Sequence, residues 1–96
     1  MPKAYWIACY RSVSDPAALA AYAKLGAAAL TAAGGKVLAR GEPAKVFDAG
    51  LNQRTVLIEF ESVEQAVAAY QSDAYKAALD VLGNAVERDL RILEGL

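Results

Sequence analysis

The chain has 96 residues, is 56% apolar and carries a net charge of −1, with one cysteine and no histidine. That length fits a single domain, taken as residues 1–96. No basic patch is present to neutralise phosphates, which argues against nucleic acid, and no apolar run reaches the roughly 18 residues of a membrane span. Without histidine there is no Ser-His-Asp triad, His-ligated haem or His-based zinc site, and the lone Cys9 can form neither an internal disulfide nor a thiolate cluster. The reading is therefore of a protein with no metal and no cofactor. Met1-Pro-Lys-Ala4 lacks the apolar core of a secretion signal, so a cytoplasmic location is expected.

The first strand is expected over residues 4–11, apolar on both faces. Tyr5, Ile7 and Cys9 share one face; Trp6, Ala8 and Tyr10 share the other. Asp15-Pro16 starts a helix, with Asp15 as N-cap and Pro16 at the first helical position. This helix runs to about Ala33, with a buried stripe of Leu19, Tyr22, Ala23, Gly26 and Leu30, and stops at Gly34-Gly35. Lys36–Arg40 reads as a second strand, interrupted by Gly41-Glu-Pro43 and continued over Ala44–Asp48. Arg54–Phe60 is a third strand, apolar on both faces apart from Glu59. Ser62-Val-Glu-Gln65 is a capping box, and Ser72-Asp73 restarts the helix that follows. Val86–Glu94 is the last strand, with Val86, Leu90 and Ile92 facing inward.

The order β-α-β-β-α-β predicts an α+β, ferredoxin-like fold: a four-stranded antiparallel sheet with helices on one face. The first and third strands are central in that topology and are the two that are apolar on both sides. One layer of helix covers one face only. The open face therefore predicts a homodimer, with Trp6 and Tyr10 as its aromatic anchors. Cys9 is expected to be a small core residue.

Several segments taken together carry a resemblance. Ala4-Tyr-Trp-Ile7, Gly34-Gly-Lys-Val-Leu-Ala-Arg-Gly41, Arg54-Thr-Val-Leu-Ile-Glu-Phe60, Ser62 with Ala66 and Tyr70, and Ser72-Asp-Ala-Tyr75 span nearly the whole chain. They resemble the small bacterial proteins catalogued as domain of unknown function 1330, within the dimeric α/β-barrel superfamily. The resemblance implies a ferredoxin-like protomer and a dimer whose sheets pack face to face. It implies no established reaction, although the wider superfamily includes cofactor-free monooxygenases, muconolactone isomerase-like enzymes and stress-response proteins. This chain departs in having Glu61 where the family often has proline, and in lacking the histidine that several monooxygenase and haem-handling relatives use.

Six residues are candidates for chemistry. Glu59, a carboxylate in an apolar strand, would have a raised pKa suited to general acid or base work; the competing reading is a structural pair with Arg40. Arg40 could hold a substrate carboxylate by two parallel hydrogen bonds, with Gly41 allowing close approach. Arg54 faces opposite to Glu59 and could guard the mouth of a cleft between sheet and helices. Tyr22, Tyr70 and Tyr75 could orient a small oxygenated ligand in that cleft; ordinary core packing is the competing reading of each.

Two functions follow from these assignments. One is a small-metabolite binding protein, with Glu59 as acid or base if it turns its ligand over by proton transfer or cofactor-free oxygen chemistry. The other is a non-catalytic dimeric binding or stress-associated module. A cavity of about 300 Å³ or more with convergent polar groups favours the first; a packed cleft with Glu59 bonded to arginine favours the second.

Overall fold

The computed structural model describes residues 2–96. Each element forms where local chemistry directs it. β1 (Ala4–Val13) leads into α1 (Pro16–Ala32), whose N-cap Asp15 accepts a hydrogen bond from the amide of Ala18 at 3.1 Å. β2 (Lys36–Gly41) and β3 (Thr55–Phe60) follow, then α2 (Val63–Tyr70), α3 (Asp73–Leu82) and β4 (Val86–Glu94). The Ser62 hydroxyl caps α2 by accepting from the Gln65 amide at 3.1 Å, while Gln65 Oε1 accepts from the Glu61 amide at 2.7 Å. The reach-back therefore lands one residue earlier than in the usual capping box. The Ser72 hydroxyl accepts from the Tyr75 amide at 3.2 Å and starts α3, so two short helices stand where one longer helix would have carried its stripe past the core.

All strand pairs are antiparallel, in the order β2-β3-β1-β4. The three helices lie on one face, and the molecule is a slab of 36 × 33 × 16 Å. Ala4, Trp6, Ala8 and Tyr10 of β1, with Ile58 and Phe60 of β3, point into the helices and meet Tyr22, Leu30, Ala66, Tyr75 and Ala78. Trp6 is 1% exposed and sits at the centre of this core, edge-on to Tyr75 with ring centroids 5.3 Å apart. The buried residues of α2 are Ala66 and Ala69, which let it lie close to β1 and β4, while α3 packs mainly on α1.

Four sequence expectations are corrected here. Trp6 and Tyr10 belong to the helix-covered face, not the open one. Parity grouped them correctly, but a strand apolar on both sides does not say which side is covered. For the same reason Cys9 is exposed on the open face rather than buried. Ala44–Asp48 forms no strand: Pro43 has no amide to donate, Asp48 takes a left-handed conformation (φ 53°), and β2 is already the sheet edge. The irregularity expected at Gly41–Pro43 lies earlier, between Val37 and Ala39, where Leu38 is the extra residue.

That bulge has a consequence for the site. It changes the parity of β2, so Val37 and Arg40 both line the helix side, with Arg40 opposite Val56 of β3.

Candidate functional site

A cleft opens between the sheet and α1. It is lined by Trp6, Ala8 and Tyr10 of β1 and by Tyr22, Gly26 and Leu30 of α1, with Arg40, Arg54 and Arg88 around them. The three guanidiniums come from three strand positions that the register brings together. Tyr10 pairs with Arg88 on β4, and the Tyr10 amide donates to the Arg54 carbonyl at 3.0 Å. Arg54, Tyr10 and Arg88 thus form one cross-strand row. Arg40 stands in the adjacent row, opposite Val56, which is itself paired with Ala8.

Arg88 is held by phenols. Its Nη1 donates to Tyr22 Oη at 3.1 Å and to Tyr10 Oη at 3.5 Å, and its Nη2 donates to Tyr75 Oη at 2.8 Å. The guanidinium lies over the Tyr22 ring, 5.3 Å from its centroid. Burial alone would lower the Arg88 pKa, but the oxygens of Tyr22 and Tyr75 outweigh it and the net direction is up, so the group stays charged. Tyr22 and Tyr75 share a hydrogen bond of 2.5 Å. Burial, reinforced by Tyr22, pushes the Tyr75 phenol well above its ordinary value, against the opposing pull of Arg88.

No carboxylate reaches any of these cations. The ion pairs among the described residues join Lys3 to Glu59 and Glu61, Arg11 to Glu87 and Asp89, and Arg91 to Asp89. Arg40, Arg54 and Arg88 appear in none of them. Arg54 Nε is buried and has no hydrogen-bond partner. A buried, unsatisfied donor on a charged group costs about 1–3 kcal/mol or more, and three like charges around one cleft repel one another.

The enclosed space is about 40 Å³. A water needs on the order of 10–15 Å³ of such space, so the cavity takes about three waters, or one small group such as a carboxylate. It falls well short of the roughly 300 Å³ at the lower end of ordinary ligand pockets. A larger ligand would leave its body at the mouth.

The sequence candidates divide between the two faces. Arg40, Arg54 and Tyr22 line the cleft, and Tyr75 is tied to it through Arg88 and Tyr22. Tyr70 is not in it: its ring packs beside Trp6 and Tyr75 and is 39% exposed along a shallow groove with Val67, Gln71, Leu90 and Ile92. Glu59 lies on the opposite face of the sheet, paired in register with Tyr5 and Lys36.

The expected Glu59–Arg40 pair and the expected rise in the Glu59 pKa are both corrected. Lys3 Nζ donates to Glu59 Oε1 at 3.2 Å and Tyr5 Oη donates to Oε2 at 3.2 Å. The Lys3 hydrogen bond, against a smaller effect of burial, holds the carboxylate below its usual range. Gly41 ends β2 with φ 141°, a conformation glycine tolerates, and nothing lies within 4 Å of where a Cβ would stand.

Arg88 and Tyr10 are cleft residues that the sequence reading did not select. A signal for Arg88 was there. It shares strand parity with Val86, Leu90 and Ile92, and is the one charge among these inward positions before the strand's last residue, Glu94.

A ferredoxin-like sheet with a polar cluster under its first helix defines the class of protein. Residues 3–96 match the family described as domain of unknown function (DUF1330), and the chain belongs to that family. No curated protein matches it. Among solved structures it is similar to RPA0582, a protein of unknown function from Rhodopseudomonas palustris, at 20% identity and TM-score 0.75, covering 99% of this chain and 83% of that one. It is also similar to a "putative antibiotic biosynthesis monooxygenase" from Caulobacter crescentus CB15, at 20% identity and TM-score 0.65, covering 99% and 91%. A dimeric ferredoxin-like protein of unknown function from Thermobifida fusca YX matches at 14% identity and TM-score 0.57, covering 97% and 91%. At these identities the likeness shows the fold alone.

Proposed function

We propose that this protein binds a small organic acid, with the carboxylate held in the cleft by Arg54 and Arg40, beside the phenol-bound Arg88. The observation that carries the reading is the convergence of three guanidiniums with no carboxylate among them, one with its Nε buried and unbonded. Val37, exposed at the cleft's edge, and half-buried Val56 offer apolar contact to an aliphatic or aromatic body at the mouth. The reading rests on binding rather than turnover, because Glu59, the expected acid or base, is separated from the cleft by the sheet. Any proton transfer by Glu59 would take place on the other face.

Titration calorimetry with butanoate and benzoate, against butanamide and benzamide, tests this. The acids should bind and the amides should not, and Arg54→Met should abolish the difference. Equal binding of acid and amide would refute it.

The open face is read as the homodimer contact. Tyr5, Ile7, Leu57 and Leu93 form its apolar centre, flanked by the Lys3 and Arg11 ion pairs. The dimer described for the Thermobifida fusca protein supports this reading.

No helix among the described residues is long and apolar enough to cross a membrane.

A further inference from the structure

We infer that Tyr22 is the residue that selects the ligand: its hydroxyl proton is aimed at the cleft, so the site takes acids with no hydrogen-bond donor beside the carboxylate. This rests on the carboxylate reading above and narrows it to unsubstituted and 2-oxo acids, against 2-hydroxy and 2-amino acids.

A phenol has one donor and two acceptor positions. Tyr75 Oη accepts from Arg88 Nη2, and Tyr22 Oη accepts from Arg88 Nη1. The two phenols are also hydrogen-bonded to each other, so one donates to the other. If Tyr22 donated, the Tyr75 proton would have no acceptor. Tyr75 is 0% exposed, does not line the cleft, and has only Arg88, a pure donor, as its other partner. A buried hydroxyl proton without an acceptor is disfavoured.

Tyr75 therefore donates and Tyr22 accepts twice. Both acceptor positions of Tyr22 are then filled, and its own proton has no protein partner. Tyr22 and Arg54 both line the cleft, and the Tyr22 proton is left for a group that enters it. The Arg88 and Tyr75 hydrogen bonds polarise the Tyr22 hydroxyl and strengthen it as a donor.

The polar side chains around the ligand head are then mainly donors: the guanidiniums of Arg40 and Arg54, and Tyr22; Tyr10, whose hydroxyl takes a 3.5 Å hydrogen bond from Arg88, is the other polar group there. A carboxylate or 2-oxo oxygen meets them as an acceptor. A 2-hydroxyl brings a proton with no side-chain carboxylate to receive it, and a 2-ammonium adds a cation to three already present.

Gly26 keeps this arrangement in place. A Cβ there would come within 3.0 Å of the Tyr22 ring at Cζ and 3.3 Å of its Oη, so only glycine one turn on leaves the ring where Arg88 and Tyr75 hold it.

The test compares dissociation constants for butanoate, 2-oxobutanoate, 2-hydroxybutanoate and 2-aminobutanoate. Butanoate and 2-oxobutanoate should agree within about threefold, and the hydroxy and amino acids should bind at least about tenfold more weakly. Tyr22→Phe should weaken butanoate about tenfold. Tyr75→Phe, which frees an acceptor position on Tyr22, should shrink the hydroxy-acid penalty to about threefold or less. Equal affinity of wild type for butanoate and 2-hydroxybutanoate, or unchanged butanoate binding in Tyr22→Phe, overturns the inference and leaves carboxylate binding standing. Failure of all four acids to bind removes both.

Discussion

The two faces of the sheet handle charge in opposite ways. On the open face the charged side chains in contact pair acid with base: Lys3 with Glu59, and Arg11 and Arg91 with Asp89. These pairs are solvated and each side is matched, so they are explained by the protein alone. On the helix-covered face Arg40, Arg54 and Arg88 gather around apolar walls with no acid in reach. Fewer charges lie there: Arg54 and Arg88 are half-buried, Arg40 is exposed at the rim, and none is in an ion pair among the described residues. Paired charge at a surface says little about function, whereas unpaired charge at a cleft is what the proposed organic acid would meet.

Substitutions on either face test this contrast. The largest effect is expected from Trp6→Ala, which should cost about 3–5 kcal/mol in urea unfolding because the indole fills the centre of the core. Its counterpart on the open face, Leu57→Asp, should leave a folded chain and shift sedimentation toward the monomer. A folded, dimeric Leu57→Asp would remove the open face as an interface. Gly26→Ala should lose about 1–2 kcal/mol despite the better helix propensity of alanine, because Tyr22 must move. It should also weaken butanoate binding.

Arg54→Met should raise stability by about 1 kcal/mol in the absence of ligand, since it removes a buried orphan donor and one of three like charges. A loss of stability there would mean that Arg54 is already satisfied and that the cleft is not waiting for an anion.

Two smaller effects follow from pH. The Tyr75 phenol is raised in the folded state, so its contribution is full below the unfolded value near 10 and is lost as pH rises beyond it. Alkaline titration followed by tyrosinate absorbance should show Tyr75 ionising only with unfolding. Glu59 is lowered, so its contribution is present above the ordinary carboxylate value of about 4.5 and lost as pH falls below it. Glu59→Gln should therefore change the melting temperature little at pH 7 and flatten its decline in acid. A large loss at pH 7 would make Glu59 a main support of the open face.

Much of the architecture was legible because it is written in local chemistry. Asp15-Pro16, Ser62 with Gln65, and Ser72 cap helices through atoms three residues away or less, and the structure places helices after each. Arg40, Arg54 and Tyr22 were legible as residue types suited to an oxygenated ligand. A shared cleft between sheet and helices was expected for them; what nothing in the sequence marks is the bulge at Leu38, through which Arg40 reaches the helix side. Glu59 was separated from them for the complementary reason. Its strand parity was readable, but which parity faced the helices was not.

The amino-acid order by itself determined the number, kind and sequence of the elements, since caps, turns and periodicity act over a few residues. The tertiary structure alone decided which side of a two-sided apolar strand is covered, that Trp6 is core rather than contact surface, and that three arginines distant in sequence share one cleft. Those outcomes depend on strand register and on which helices reach which face, and each is settled only when all the segments pack together.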